Sequence, residues 1–288
     1  MQNSGTKGAV CVFICGMLWS TAGLFIKLLP WNAVVIAGLR SGIAAVVMYI
    51  YMVIFQKEHT LVVNRHTALS AVFLCGTMLL FVAANKLTTS ANAIVLQSTA
   101  SVFVLLYGIL VQHQKPNRRD IVTTVCVFAG ILLFFLDQLT PTGILGNFVA
   151  LGSAFTYCGV ILTSADAADE HSSSSGLILG HVLTFIVGLP FIFTTAPEFT
   201  ASTVPAILFL GIFQLGIAYS LFSHGSRYCS PLAMVLIAMV EPIFSPIWVA
   251  IFAHEIPGTL ALIGAALVLV SLTAWSVLNA KSVRNGDA

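Results

Sequence analysis

Long apolar runs alternate with short polar breaks along the whole chain. Runs of about 20 apolar residues, the length that crosses a bilayer core, lie near 8–29, 33–55, 67–85, 90–111, 120–137, 143–163, 175–195, 203–224, 230–252 and 258–279. Proline, charge or clustered polar residues separate them, as in Lys115-Pro116-Asn117-Arg118-Arg119. The two-residue alternation of a membrane barrel is absent, and no stretch is left over for a separate soluble domain. The pattern therefore predicts an all-α integral membrane protein with ten transmembrane helices, the helix being the other fold whose backbone satisfies itself in lipid. The first run continues to Leu29 with no small-residue cleavage site behind it, so a retained first span is expected.

Composition agrees with that reading. Of 288 residues, 58% are hydrophobic and only 8% charged, with a mean hydropathy of +1.01, whereas soluble domains carry about 25% charge. A net charge of +2 gives no reason to expect nucleic acid as a partner. The expected partners are the lipid bilayer and a small-molecule substrate, for a monomer or weak homodimer. Six cysteines, Cys11, Cys15, Cys75, Cys126, Cys158 and Cys229, form no CxxC pair and read as small hydrophobes, with no metal expected.

Basic residues set an orientation. With the N-terminus in the cytoplasm, Lys7, Lys57, Arg65, Lys115, Arg118, Arg119, Arg227, Lys281 and Arg284 all fall on that side, and only Lys86 in an outer loop. Both termini are expected inside, in the plasma membrane or a cell inner membrane.

The two halves resemble each other. Gly38xxxGly42 recurs as Gly176xxxGly180 and Trp19 as Tyr157, at an offset of 138. At an offset of 141, Lys86-Leu-Thr-Thr-Ser meets Arg227-Tyr-Cys-Ser-Pro and His113-Gln-Lys-Pro116 meets His254-Glu-Ile-Pro257. Residues 1–142 and 143–288 are therefore expected to be two five-helix repeats. An odd number of spans inverts the second relative to the first, the architecture of carriers that rock about a midplane site.

Charge inside a membrane is costly and tends to face the interior. Arg40 lies about two turns into span two and Glu241 near the middle of span nine; neither repeat mate, Ile178 or Ala100, is charged. The two read as a structural pair, as charges bonded to freed backbone, as a site for both ends of a zwitterion, or with Glu241 as a proton-coupled carboxylate. Lys27, at the outer end of span one, reads as a snorkelling anchor. Pro242 and Pro246 follow Glu241, and proline in a helix interior frees backbone groups tolerated at that depth only against protein or water. They are candidate hinges. Asn92, Gln97, Thr99 and Ser101 make span four polar, and Gln214 sits in span eight. These side chains suit a ligand or interhelical hydrogen bonds equally. Trp19 and Tyr157 suit a substrate wall or a packed core. His181 and His224 lack ligand spacing, and the GxxxG pairs point to close helix packing. Motifs for phosphate loops, HExxH metal sites, serine elbows and selectivity filters are missing.

The ordered set of motifs resembles the EamA-type exporters of the drug/metabolite transporter superfamily, over almost the whole chain. GMLWSTAGLFIKLLP has the family's opening tryptophan and lysine as Trp19 and Lys27, with Ser20 where glycine is commoner. AGLRSGIAA carries the span-two arginine as Arg40. In LTTSANAIVLQSTASVFVLLYG, Ser101 replaces the usual proline, while EPIFSPIWVAIFAHEIPGTLALIGAALVLVS carries Glu241, Pro242, Pro246, Glu255 and Gly264, with Ser271 in the last glycine's place. The resemblance implies a central cavity lined by spans one, three, four, six, eight and nine, and substrates among amino acids, their metabolites, quaternary amines and drugs. It also puts Trp19, Asn92, Gln97, Ser101, Tyr157, Gln214 and Glu241 on cavity helices.

The expectation is a secondary active or facilitative transporter of a small polar metabolite, an amino acid or related amine, with export as the expected direction, by alternating access. No cofactor is expected beyond a coupled proton, and no enzymatic activity. The rivals are an importer of a quaternary amine such as choline and a membrane assembly protein.

Overall fold

In lipid a backbone can satisfy its polar groups only internally. The computed structural model describes residues 2–113, 115, 117–137, 140–165, 167, 169–226, 240–252, 254 and 257–285, and these form helices with no strand among them. The first part of the expected ninth span (230–239), with Arg227, Cys229 and Glu255, lies outside the described residues.

Helices α1 (Gln2–Ser20) and α2 (Ala22–Leu28) make the first span, and α3 (Ala33–Tyr51) runs on into a π-helical turn, Met52–Gln56. Next come α4 (Arg65–Leu87), α5 (Ser90–Ser98), α6 (Ala100–Leu110), α7 (Arg118–Asp137), α8 (Pro141–Ala165) and α9 (Glu170–Thr195). Then α10 (Thr203–Phe209) passes through a π-helical stretch, Leu210–Ile217, into α11 (Ala218–Ser226), followed by α12 (Val240–Phe252) and α13 (Thr259–Asn285). Among the described residues, eight helical stretches are long and apolar enough to cross a membrane, and α12 and Thr259–Trp275 are shorter apolar helices.

The breaks in spans one and four have a common cause. At the first, Ser20 Oγ and Thr21 Oγ1 donate to the carbonyls of Met17 and Leu18, at 2.7 and 2.6 Å. At the second, Ser98 Oγ and Thr99 Oγ1 donate to Ile94 and Leu96, at 3.0 and 2.6 Å. Side-chain hydroxyls that back-bond to the preceding turn compete with the helix ladder and bend it. Span four is thus broken without the proline that Ser101 replaces.

Small residues set the packing. A Cβ on Gly38 of α3 would sit 2.8 Å from the Gly188 Cα on α9, so the two antiparallel backbones touch there. Gly176 and Gly180 instead meet α4, at Ser70 and Leu74. Both GxxxG pairs are packing surfaces, but against different helices. A Cβ on Gly23 of α2 would meet Ser90 of α5 at 2.9 Å and Ser245 of α12 at 3.3 Å, which places the crossing of spans four and nine beside span one.

Polar groups tie the bundle ends. Lys27 Nζ donates to the Thr88 carbonyl at 3.0 Å, and Lys86 Nζ to that of Leu29. Lys27 is therefore more than a snorkelling anchor: it reaches the carbonyl end of α4, where a cation is favoured. Among the described residues, four non-glycine residues take the left-handed backbone: Lys57 (φ 60°) and Ala196 (φ 42°), which close the second and seventh spans, and His113 and His254 (both φ 54°) in later loops.

Candidate functional site

A cavity lies at the centre of the bundle, and its wall collects polar side chains that the sequence scatters over 222 positions, from Trp19 to Glu241. Trp19 comes from α1, Arg40 from α3, Gln97 from α5, Tyr157 from α8, Gln214 from the π-helical stretch and Glu241 from α12. Six of the eight substrate-site candidates thus share one wall. With Thr77, Met78 and Phe81 of α4 on the same wall, the helices are the six that the resemblance implied, plus α3 through Arg40. The space holds water centres over about 40 Å³, room for a few waters where one needs roughly 10–15 Å³.

Arg40 is fully buried. Its Nη1 donates to Gln214 Oε1 at 3.4 Å, its Nη2 faces Met78 Sδ at 3.6 Å, and its Cζ stands 5.9 Å from the centre of the Phe81 ring. Among the described residues the Nε has no hydrogen-bond partner, and no carboxylate comes within 4 Å of the guanidinium. Glu241 lines the same cavity without pairing with it. The structural-pair alternative for these two charges is therefore not what the side chains adopt. A buried guanidinium held by one long bond, a thioether and a ring face is poorly compensated for its lost water. Trp19 repeats the theme: it is buried, its ring packs on Tyr219 at 5.1 Å and Phe222 at 5.4 Å, and its Nε1 has no partner among the described residues.

Other candidates have structural partners. Gln97 Nε2 donates to Ser153 Oγ at 2.6 Å, tying α5 to α8 while the side chain lines the cavity. Asn92, fully buried, donates to Asn147 Oδ1 at 3.2 Å and lies off the cavity wall. Ser101, beyond the break at Thr99, is also off the wall. Pro242 is buried, and α12 continues through Pro246, whose nitrogen has no proton to give the preceding turn. Trp248 of the same helix donates to Ser20 Oγ at 3.0 Å, beside the break in span one. His181 is fully buried, stacked edge-on at 5.3 Å against Tyr219, and off the wall.

Sequence reading missed Thr77, Met78, Phe81, Leu215 and Tyr219 on the wall. Methionine and phenylalanine at helical spacing look like ordinary core. Gln214 and Tyr219 are five apart, about 140° out of phase in a regular α-helix; the wider π-helical turn before Tyr219 reduces that difference.

The profile of the EamA-like transporter family matches residues 6–136 and again residues 144–276. The chain belongs to the EamA-like transporter family. It is a multi-pass membrane transporter of that family. Among relatives, an uncharacterized transporter of Archaeoglobus fulgidus is 23% identical over 215 residues, 71% of this chain and 74% of its own. The uncharacterized transporter YwfM of Bacillus subtilis is 22% identical over 279 residues, 93% of each chain. A solved crystal structure, 17% identical, overlays this EamA-like chain with a TM-score of 0.68, covering 95% of it and 98% of the other, and so shares its fold.

Proposed function

We propose that this EamA-like protein carries a small zwitterionic metabolite, an amino acid or closely related amine, through the central cavity by alternating access. The observation that carries the reading is Arg40: a buried guanidinium in the cavity wall with no carboxylate partner among the described residues, in a cavity that also holds Glu241. A substrate carboxylate completes Arg40 and accepts from the free Trp19 Nε1, and a substrate ammonium meets Glu241. Tyr157 and Tyr219 wall the apolar part, and Gln97 and Gln214 offer amides. With no substrate bound, Glu241 is the group to carry a coupled proton.

Alternating access rests on ten spans in two inverted repeats, 1–142 and 143–288, with the termini cytoplasmic in the plasma or inner membrane and export as the direction. Several features support it. The family profile matches once in each half. The left-handed residues fall into mates, Lys57 with Ala196 and His113 with His254, at offsets of 139 and 141. Such backbone costs about 1–2 kcal/mol in a non-glycine residue, so coincidence in pairs is informative. Helix packing also recurs with roles exchanged: α4 on α8 returns as α11 on α1, and α4 on α9 as the π-helical stretch on α3. The breaks at Thr21 and Thr99, the π-helical stretch, and Pro242 and Pro246 put weak points in the ladder beside the cavity, where rocking needs them.

An importer of a quaternary amine would use Trp19, Tyr157 and Tyr219 as an aromatic cage. Arg40 in the same wall disfavours a ligand with positive charge only. Uptake by purified protein in liposomes, with amino acids competed by choline, separates the two. Glu241→Gln that leaves transport, affinity and pH dependence unchanged makes Glu241 structural. A metabolite panel that produces no thermal shift favours an assembly role.

A further inference from the structure

Two hollows meet at the end of the bundle where α4 begins, α8 ends and α9 begins. One is a polar recess of about 190 Å³, lined by hydroxyl and amide side chains that include Asn64, Thr67 and Ser70. The other is an open, largely apolar cleft of about 630 Å³ between α4 and α6, floored by α8. His66 and Thr163 line both, so the hollows adjoin. Arg65 stands at the mouth of the cleft, exposed.

The arrangement has a direction. Arg65 and His66 open α4, and Phe73, eight residues on, lies about 12 Å deeper at 1.5 Å per residue. Along α6, Leu110 and Val111 sit at the same end as Arg65, and Phe103 sits deeper, all on the cleft wall. Polar lining thus lies toward the bundle end and apolar lining toward the bilayer centre. Ser70 adds a separate mark. It is buried, its Oγ takes no hydrogen-bond partner among the described residues, and it lines the recess. A buried hydroxyl without a partner costs stability until something supplies one.

We infer that this paired hollow binds an anionic phospholipid of the leaflet on the Arg65 side, with phosphate at Arg65 and His66, hydroxylated headgroup in the recess and an acyl chain along Phe73 and Leu110. Lys57 closes the second span and Arg118 and Arg119 open α7, so basic residues lie on the same side of the bundle as Arg65, interspersed with Glu58, Asp120, Asp169 and Glu170, and juxtamembrane basic residues attract anionic lipid. A free phosphate compound would engage Arg65, His66 and the recess but leave the apolar wall of the cleft empty. Phosphatidylcholine brings a phosphate and acyl chains too, but its quaternary ammonium opposes Arg65 and offers no hydroxyl to the recess.

Native mass spectrometry of the full chain in a non-ionic detergent tests this, with phosphatidylglycerol, phosphatidylcholine and soluble glycerol phosphate as the probes. The inference expects one retained phosphatidylglycerol, held about fivefold more tightly than phosphatidylcholine, with the preference erased by Arg65→Gln. Leu110→Trp, filling the exposed mouth of the cleft, lowers retention of both lipids. Equal retention of the two lipids by the unaltered chain overturns it, as does a preference untouched by Arg65→Gln. Displacement of the lipid by an equal concentration of glycerol phosphate also overturns it, because the headgroup alone would then account for the site. The comparison of probes on the unaltered chain stands even where a variant folds poorly.

Discussion

The Nη1 of Arg40 reaches Gln214 Oε1 at 3.4 Å, long for a bond to a charged donor. Two residues 174 positions apart, from helices of opposite halves, are joined across the cavity by a contact that leaves the guanidinium under-satisfied. An acceptor arriving in the cavity has more to gain at Arg40 than at a fully paired arginine.

A trade between stability and function follows. A buried charge that lacks a good partner carries an uncompensated desolvation cost, which an apolar side chain of similar length removes. Arg40→Met is expected to melt at or above the unaltered chain's temperature in detergent without substrate, while losing any substrate-induced shift. A thermal-shift assay on both proteins, with and without the transported solute, checks both halves.

Close packing makes a second position sensitive. The Cβ of an alanine at Gly38 would lie 2.8 Å from the Gly188 Cα, and backbone cannot yield as a flexible side chain can. Gly38→Ala is expected to cost about 1–3 kcal/mol, seen as a lower melting temperature. Gly152→Ala, whose Cβ meets its nearest atom at 3.5 Å, is expected to leave it near that of the unaltered chain.

The N-terminus of α9 carries a pH-sensitive cap. Asp169 accepts from the Ser172 backbone N–H at 2.7 Å, and that bond holds its carboxyl below the ordinary range. A carboxyl depressed by folding adds stability that is present above its unfolded value and fades as pH falls through the folded one. Protection against hydrogen exchange at residues 172 and 173, taken relative to the intrinsic rate at each pH, is expected to fall below about pH 4, near the ordinary aspartate value. Asp169→Ala is expected to lower it at neutral pH as well, whereas Asp169→Asn keeps the cap.

Breaks made by hydroxyls are also testable. Removing the Thr99 hydroxyl with Thr99→Val deletes its bond to the Leu96 carbonyl and favours a continuous helix through span four. Slower substrate exchange with little change in affinity is the expected outcome in a liposome counterflow assay. Unchanged exchange rates would mean that this break takes no part in the motion.

Much of this was legible in advance because lipid imposes a simple code. Runs of apolar residues mark helices, and a charge among them tends to face inward, so Arg40 and Glu241 stand out in the sequence alone. Facing is harder to read. Asn92 and Gln97 are five apart, about 140° around a regular helix, so Gln97 reaches the cavity while Asn92 turns to Asn147. Gln97 and Ser101, four apart, would share a face but for the break at Thr99. Tyr219 and Met78 were hidden for a different reason: aromatic and thioether side chains look alike whether they fill a core or wall a cavity.

The central claim is that one cavity reads both ends of a zwitterion, with Arg40 taking the carboxylate. Its most direct test is binding of an amino acid and of the amine left by removing its carboxyl group, to the unaltered chain and to Arg40→Gln. The account predicts that the unaltered chain prefers the amino acid by about 30-fold or more, since leaving one member of a buried charge pair alone costs at least about 2 kcal/mol, and that Arg40→Gln abolishes the preference. Equal or tighter binding of the amine by the unaltered chain, or a preference that survives Arg40→Gln, would contradict it.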